Sequence, residues 1–312
     1  MRQLVFVFLF LGAFVSSPNH LTAQWLEAGF TVGGSNYLGD LVDAHLAPNE
    51  YNIAFGAFGR YQWTKYISFK GYVNRAELSG SDANNRIGLR KRNLSFRTNL
   101  IEVGLINEIS ITPYDPREDK NALPYVFAGI SGFHFNPQAE FKGVFYDLRP
   151  LGTEGQGNVV SGTKPYSAFG FAIPFGFGFK WNINPLINLG LEFGMRITTT
   201  DYLDDVSGRY PNLELLAQQD PLAATLSYRA PEFNSDLDFT NAQGRTRGNP
   251  DNADWYFIGG INFSVNLTDA YGMEWDRTFR SFSEDPLPKE TKSSKYRINT
   301  AKKKKKSSKR KR

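Results

Sequence analysis

The stretch that decides the fold is Ser167–Trp181, SAFGFAIPFGFGFKW. From Phe169 to Trp181 every odd position is large and apolar, and the even positions as far as Gly178 are small. A helix would distribute the large side chains around its axis, whereas a strand places all of them on one face. In a water-soluble protein the open face of such a strand is usually polar. An apolar face opposite a nearly bare one is typical of a transmembrane β-barrel strand.

Six further segments alternate in the same way, and a seventh, 125–135, is apolar at both parities, which leaves its facing open. The eight predicted strands cover 26–33, 53–61, 67–74, 101–109, 125–135, 169–181, 187–197 and 255–267. Short connections follow strands two, four and six, and long ones follow the others, at 35–50, 77–95, 136–165 and 200–254. This pattern predicts an all-β fold, an eight-stranded antiparallel transmembrane β-barrel with short periplasmic turns, long extracellular loops and a basic C-terminal tail.

A soluble β-sandwich or a lipocalin-like barrel would also have about eight strands. The Phe-rich outward faces, the alternation of long and short connections and the N-terminal leader favour the membrane barrel over these folds. Residues 1–23 have the pattern of a signal peptide, with Arg2, an apolar core over Leu4–Val15 and Leu-Thr-Ala before Gln24. We therefore expect a signal peptide at 1–23, a barrel at 24–268 surrounded by outer-membrane lipid, and a periplasmic tail at 269–312. The predicted location is the cell outer membrane.

The 312 residues include no cysteine, which excludes disulfides, a thiol nucleophile, a Cys-ligated zinc site and a lipoprotein anchor. The formal net charge of +5 hides a strong asymmetry. Nine of the 36 Lys and Arg lie in 302–312 and Arg2 belongs to the leader, so that 26 remain against 31 acids. A basic tail fits nucleic acid, anionic lipid or an acidic protein, or is simply a solvated end. Nucleic acid is a poor partner for an exported protein. The candidate partner-binding residues are Lys302, Lys303, Lys304, Lys305, Lys306, Lys309, Arg310, Lys311 and Arg312.

The interior of an eight-stranded barrel is only just wide enough to be filled by side chains. The positions that face inward hold four acids and four bases: Glu27, Glu102, Glu108, Glu192, Arg60, Lys70, Lys180 and Arg196. Because an unpaired buried charge costs several kcal/mol, this balance predicts an internal ion-pair network and no open pore. We also expect the small positions from Ala168 to Gly178 to leave room for these charged side chains.

Nothing in the sequence points to catalysis, a cofactor or a metal. Beyond the leader the histidines are His45 and His134, and no spacing places either one in a Ser-His-Asp arrangement. Acids at 201–205 and 236–254 lack the regular spacing of a calcium loop, so we interpret them as solvated carboxylates. The leucines between Pro211 and Tyr228 predict a short helix over the barrel mouth, or a partner-binding surface.

Three loop segments go beyond generic barrel features: Gly-Gly-Ser-Asn-Tyr-Leu-Gly-Asp-Leu at 33–41, the stretch 135–156 with Asp-Leu-Arg-Pro-Leu-Gly-Thr-Glu-Gly at 147–155, and Thr-Asp-Tyr-Leu-Asp-Asp-Val-Ser-Gly at 200–208. Together with the leader and the strand order, they resemble the PorG family of Bacteroidetes outer-membrane proteins. The resemblance runs from about Gln24 to Leu267 and so covers the whole predicted barrel. The Lys-rich end matches no motif of that family.

The resemblance implies a non-enzymatic accessory component of the type IX secretion system, which exports proteins across the outer membrane and often supports gliding motility. Its implied role is to anchor the periplasmic ring of PorK-like and PorN-like proteins to the outer membrane. The family offers no catalytic or cofactor-binding residues to carry over. An alternative function is a surface-exposed barrel for adhesion or ligand binding through its long loops. A third, a lipid-modifying outer-membrane enzyme, would require polar loop residues essential for turnover.

Overall fold

The computed structural model describes residues 25–42, 50–85, 87–114, 122–157, 162–184, 186–242 and 244–267. The predicted signal peptide and the basic tail, including all nine candidate residues of 302–312, lie outside them. The strands are β1 (Trp25–Leu38), β2 (Asn52–Gln62), β3 (Ile67–Ser81), β4 (Ser95–Ser110), β5 (Leu123–Phe141), β6 (Val144–Asp147), β7 (Phe169–Asn182), β8 (Ile187–Thr198) and β9 (Trp255–Asn266).

Eight of these strands close into a barrel in which every pairing is antiparallel. Each pairs with its neighbours in chain order, with β5 followed directly by β7, and β1 pairs with both β2 and β9. Strand β6 pairs with the end of β5, above the point where β7 begins. Closure leaves no barrel strand with an unpaired edge, as a membrane requires. The predicted eight-stranded antiparallel barrel is therefore confirmed.

The outer surface carries the predicted apolar band. On β7 the side chains of Phe169 and Phe171 are each 72% exposed, and the apolar residues at odd positions from Ile173 to Phe179 are exposed as well. Strand β5, whose facing the sequence left open, turns its odd positions inward and Val126 and Ile130 outward. A closed barrel with such a band has the architecture of an outer-membrane protein.

The long-loop end contains more regular structure than the sequence predicted. Strands β3 and β4 continue their ladder to the pair Ser81 and Ser95, and β5 continues to Phe141 before turning back into β6. These extensions were predicted as loops because their side chains no longer alternate between lipid-facing and small. Their inward residues, such as Leu78 and Phe96, are instead buried beneath the folded loops.

Among the described loop residues there are five short α-helices: α1 (Ile87–Arg90), α2 (Leu148–Leu151), α3 (Leu213–Gln219), α4 (Pro221–Ser227) and α5 (Ala230–Phe233). The predicted helix within 211–228 is thus two helices. Asp220 ends the first and caps the second by accepting hydrogen bonds from the backbone N–H groups of Leu222 and Ala223. Within the described part of the chain, no helix has the length and apolarity needed to cross a membrane.

Candidate functional site

The barrel interior brings all eight predicted charged residues together, each with an opposite charge in contact. At the short-turn end, Glu27 of β1 accepts from Arg60 of β2 and from Lys180 of β7, whose Nζ lies 3.2 Å away. Arg60 also donates to Glu108 of β4, with Nη2 and Oε1 3.0 Å apart. Two acids therefore face two bases across four strands.

The other four charges form two pairs further along the barrel. Nζ of Lys70 lies 2.6 Å from Oε2 of Glu192, and Nε of Arg196 lies 3.4 Å from Oε1 of Glu102. Tyrosine hydroxyls donate further hydrogen bonds to these carboxylates: Tyr125 to Glu192 at 2.8 Å, and Tyr72 to Glu102 at the same distance. None of these eight side chains is more than 12% exposed.

The space beside the small residues of β7 is filled differently from the prediction, because rings of β5 occupy it. A Cβ added to Gly170 would lie 2.5 Å from Cζ of Phe133, and one added to Gly178 would lie 2.4 Å from Cζ of Tyr125. The expectation that charged side chains fill this space was wrong. The inward apolar parity of β5 was the available signal, and its facing could not be assigned from a segment that is apolar throughout.

A cavity of about 10 Å³ remains between Lys70, Glu192 and Arg196. That is about the volume a single water molecule needs. The ion pairs and rings therefore pack the barrel at this level to near closure, as the size of an eight-stranded barrel requires.

At the long-loop end, the three distinctive loop segments, at 33–41, 135–156 and 200–208, meet in one buried cap. The hydroxyl oxygen of Tyr37, from the first segment, lies 2.7 Å from Oδ2 of Asp204 in the third. It lies equally far from Oδ1 of Asp254, at the start of β9. The carboxylates also accept backbone N–H groups, Asp254 from Leu203 and Asp204 from Val206. We call Tyr37, Asp204 and Asp254 the cap triad.

The two oxygen–oxygen contacts of the cap triad need one hydrogen each. A phenol has one hydrogen to donate, so only one of the two contacts can use it. The other contact is a hydrogen bond only if a protonated carboxyl donates to the phenol oxygen. Asp204 and Asp254 are each 1% exposed, and this burial raises the pKa of both carboxyls well above the usual range. The negative charge of Asp204 raises the pKa of Asp254 further.

The segment 147–155 joins the cap through its Thr-Glu pair. Thr153 donates its hydroxyl to Asp205, and Tyr166 donates to the same carboxyl at 2.7 Å. Glu154 accepts from the backbone N–H groups of Ser207 and Gly208 at 2.9 and 3.1 Å. Burial raises the pKa of Asp205 to about 6, against the opposing effect of nearby Arg247.

Two arginines, the half-buried Arg92 and the buried Arg247, hold the remaining loops together. Arg92 donates to both carboxylate oxygens of Asp82, at 2.7 and 2.8 Å, and to the carbonyl oxygens of Asp40 and Arg247. Arg247 in turn donates to Glu154 at 3.0 Å. One set of hydrogen bonds therefore links all four long connections.

The interpretation of the loop acids as solvated was wrong for part of the set. Asp204, Asp205 and Asp254 are buried, whereas Asp236 and Asp251 are exposed. Sequence reasoning missed the cap triad because its members are separated by 167 and 217 positions, and no periodicity relates them. Their signal was membership in the distinctive loop segments, which marked them as unusual without pairing them.

Of the two histidines beyond the leader, the structure describes His134. His134 points outward and packs edge-on against Phe169, with ring centroids 4.8 Å apart. His45 lies outside the described residues. In the part of the chain that the structure describes, no group of three or more His, Cys, Asp or Glu side chains is placed to hold a metal ion.

Comparison with known proteins relates the chain to one family and to several barrels. Residues 2–147 match the family described as a domain of unknown function, DUF6089, in a stretch that ends with β6. No curated protein matches the sequence. The solved structures that match include Neisserial surface protein A (NspA), at 9% identity and a TM-score of 0.36, covering 78% of this chain and 96% of that one.

The N-terminal β-barrel domain of OprF from Pseudomonas aeruginosa matches at 10% identity and a TM-score of 0.34, over 78% of this chain and 98% of that one. OprG from the same organism matches at 8% identity and 0.31, over 78% and 95%. The fold of this chain rests on its own closed strand pairing. On that basis the chain is an outer-membrane type of β-barrel with a filled interior and a folded cap.

Proposed function

We propose that this protein is a non-enzymatic accessory component of the type IX secretion system that anchors the periplasmic PorK-like and PorN-like ring to the outer membrane. One observation carries the proposal. The three loop segments on which the PorG resemblance rests lock together through Tyr37, Thr153, Glu154, Asp204 and Asp205. Residues that generic barrel physics does not require thus build one specific structure.

The filled interior supports an anchor rather than a channel. Eight charges paired across the lumen, together with the β5 rings, leave a water-sized cavity near Glu192 and no room there for a permeating solute. A barrel of this kind holds its place in the membrane and presents its two ends to partners. The short turns near 63–66, 112–121 and 182–185, together with the tail at 269–312, are the proposed contacts with the ring. Nucleic acid has no part in this proposal.

The direct test is a deletion strain examined for retention of type IX cargo proteins, complemented with the full chain. We expect cargo to accumulate in the periplasm of the deletion strain and export to return on complementation. Affinity purification of the complementing protein from outer membranes should recover the ring subunits. Normal export in the deletion strain, with no ring subunit recovered, would remove the secretion role.

The contribution of the tail is tested by deleting 302–312 and repeating the purification at several salt concentrations. At 0.1 M salt the Debye length is about 10 Å, exposed charges farther apart than this are largely screened, and the length becomes shorter as salt rises. The full chain should therefore recover more ring protein than the truncated chain at low salt, and the difference should shrink as salt rises. Equal recovery at every salt concentration would exclude the tail from ring binding.

The alternative, adhesion or ligand binding through the long loops, is favoured by one specific observation. The long connections fold into a fixed cap rather than separate loops, and that cap contains an open cleft beside Tyr210. Exchange of the 200–253 connection should then abolish surface binding while type IX export remains intact. Loss of export in the same exchange would favour the secretion role instead.

A further inference from the structure

An open cleft of about 690 Å³ lies in the cap between the first, second and fourth long connections. A volume of this size accommodates a small organic molecule. The cleft lies at the long-loop end, outside the filled lumen, and the arrangement of its charges and rings specifies a ligand class.

The deeper cations of the cleft are already neutralised. Arg92 is held by both oxygens of Asp82, and Arg247 by Glu154 and Asp205. These two arginines shape the cleft and contribute little charge to a ligand, because each has an acid in contact.

Two further cations at the cleft have no such partner. Lys91 and Arg245 line the cleft with exposed side chains, and no acid among the described residues forms an ion pair with either. The acid in the lining, Asp40, accepts a hydrogen bond from the backbone N–H of Asn249 at 2.7 Å. Burial raises the pKa of Asp40. Because two cations without an ion-pair partner, Lys91 and Arg245, stand against this one acid in the lining, the cleft presents an excess of positive charge.

An apolar wall lies beside these cations. Tyr210 and Tyr228 meet edge to face with ring centroids 5.5 Å apart, and Leu237 and Ala242 pack in the same cluster. Burial raises the pKa of Tyr228, and Arg245 and Asp238 both lie close enough to this phenol for their charges to act on it, Arg245 lowering the pKa and Asp238 raising it. Cation and ring are thus neighbours, as an amphipathic anion requires.

We propose that this cleft binds a small organic anion, whose carboxylate or phosphate lies between Lys91 and Arg245 and whose apolar body rests on Tyr210, Tyr228 and Leu237. The charge excess selects the anion, and the wall selects a body larger than an inorganic ion. This inference is independent of the secretion role, since it concerns the outer cap and not the periplasmic end.

The test uses the purified full chain in nanodiscs and three probes: 4-fluorophenylacetate, its neutral amide and inorganic phosphate. Binding is followed by fluorine NMR for the first two and by calorimetry for all three. We expect the acid to bind more tightly than either the amide or phosphate. K91Q/R245Q should weaken binding of the acid by about tenfold or more, because it removes both charged hydrogen-bond donors, and should leave binding of the amide unchanged.

Lys164→Gln is the matched control, because Lys164 is an exposed cation on another connection and does not line the cleft. It should bind the acid as the unmodified chain does. Leu237→Ala should weaken acid and amide alike. Circular dichroism confirms that each variant is folded. Acid binding that survives K91Q/R245Q, or phosphate binding as tight as that of the acid, would overturn the proposal. Because the assay uses purified protein, its result does not depend on the outcome of the secretion test.

Discussion

At the scale of single residues, the cap triad ties the stability of the cap to pH. Buried Asp204 and Asp254 have pKa values raised by loss of solvation, so the folded cap binds more protons than the unfolded one at pH values above about 4. Stability from this source is complete below the unfolded pKa and is lost as pH rises through the folded values. Asp205, with a pKa of about 6, adds a loss in the same direction between about pH 4 and 6.

The variant Asp254→Asn should flatten this dependence, because an amide keeps the shape of the protonated acid and can donate to the Tyr37 oxygen without ionising. Hydrogen exchange of the Leu203 and Val206 amides, measured from pH 5 to 9 and corrected for intrinsic rates, reports opening of the cap. In the unmodified chain protection should fall as pH rises, and in the variant it should fall less. Asp251→Asn, an exposed change in the same connection, is the control and should keep the original slope. If protection falls equally steeply with pH in Asp254→Asn and in the unmodified chain, a protonated Asp254 does not stabilise the cap.

A second prediction at this scale concerns the Glu102–Arg196 pair in the lumen. Glu102→Gln leaves a buried guanidinium without its charge partner, and breaking such a pair typically costs about 3–5 kcal/mol. Urea unfolding in lipid vesicles measures the loss. Glu232→Gln, in the partly exposed pair with Arg229, should change stability by less than about 1 kcal/mol. A small loss from Glu102→Gln would mean that Tyr72 and its neighbours, rather than the charge, hold Arg196 in place.

At the scale of elements, the pairing of small β7 positions with β5 rings predicts where a methyl group is not tolerated. Gly178→Ala places a Cβ against the ring of Tyr125 and should destabilise the barrel by about 1–3 kcal/mol. Gly71→Ala in β3 is the matched control, since a Cβ there meets no atom within 4 Å. Both are measured by urea unfolding in vesicles. Equal stability of the two variants would contradict the packing of β7 against β5.

The strands within the apolar band were predictable because a period of two in the sequence directly reflects one face in lipid and one in the lumen. The eight lumen charges were assigned by the same parity. The long-loop ends of β3 and β5 were not predicted as strands. Beyond the apolar band both faces of a strand contact protein or water, so the sequence no longer alternates between lipid-facing and lumen-facing residues. The cap escaped because its hydrogen bonds join positions such as 37 and 254, whose proximity depends on closure of the whole barrel.

At the scale of the whole molecule, the packed lumen predicts that the barrel does not conduct ions. The purified barrel in planar bilayers should show no large, stable conductance, because paired charges and β5 rings fill the cross-section near Glu192. A barrel of known conductance in the same bilayers serves as the positive control. A steady conductance on the nanosiemens scale would mean that the paired charges do not close the lumen.

The joining of four long connections by Arg92, Glu154 and Arg247 has a consequence for grafting and divergence. A single connection transplanted from a relative would arrive without the partners to which its buried groups must bond. We therefore expect the four connections to change together in evolution, because a change in one requires a compensating change in another. Chimeras of this barrel should tolerate exchange of the entire cap better than exchange of any one of its parts.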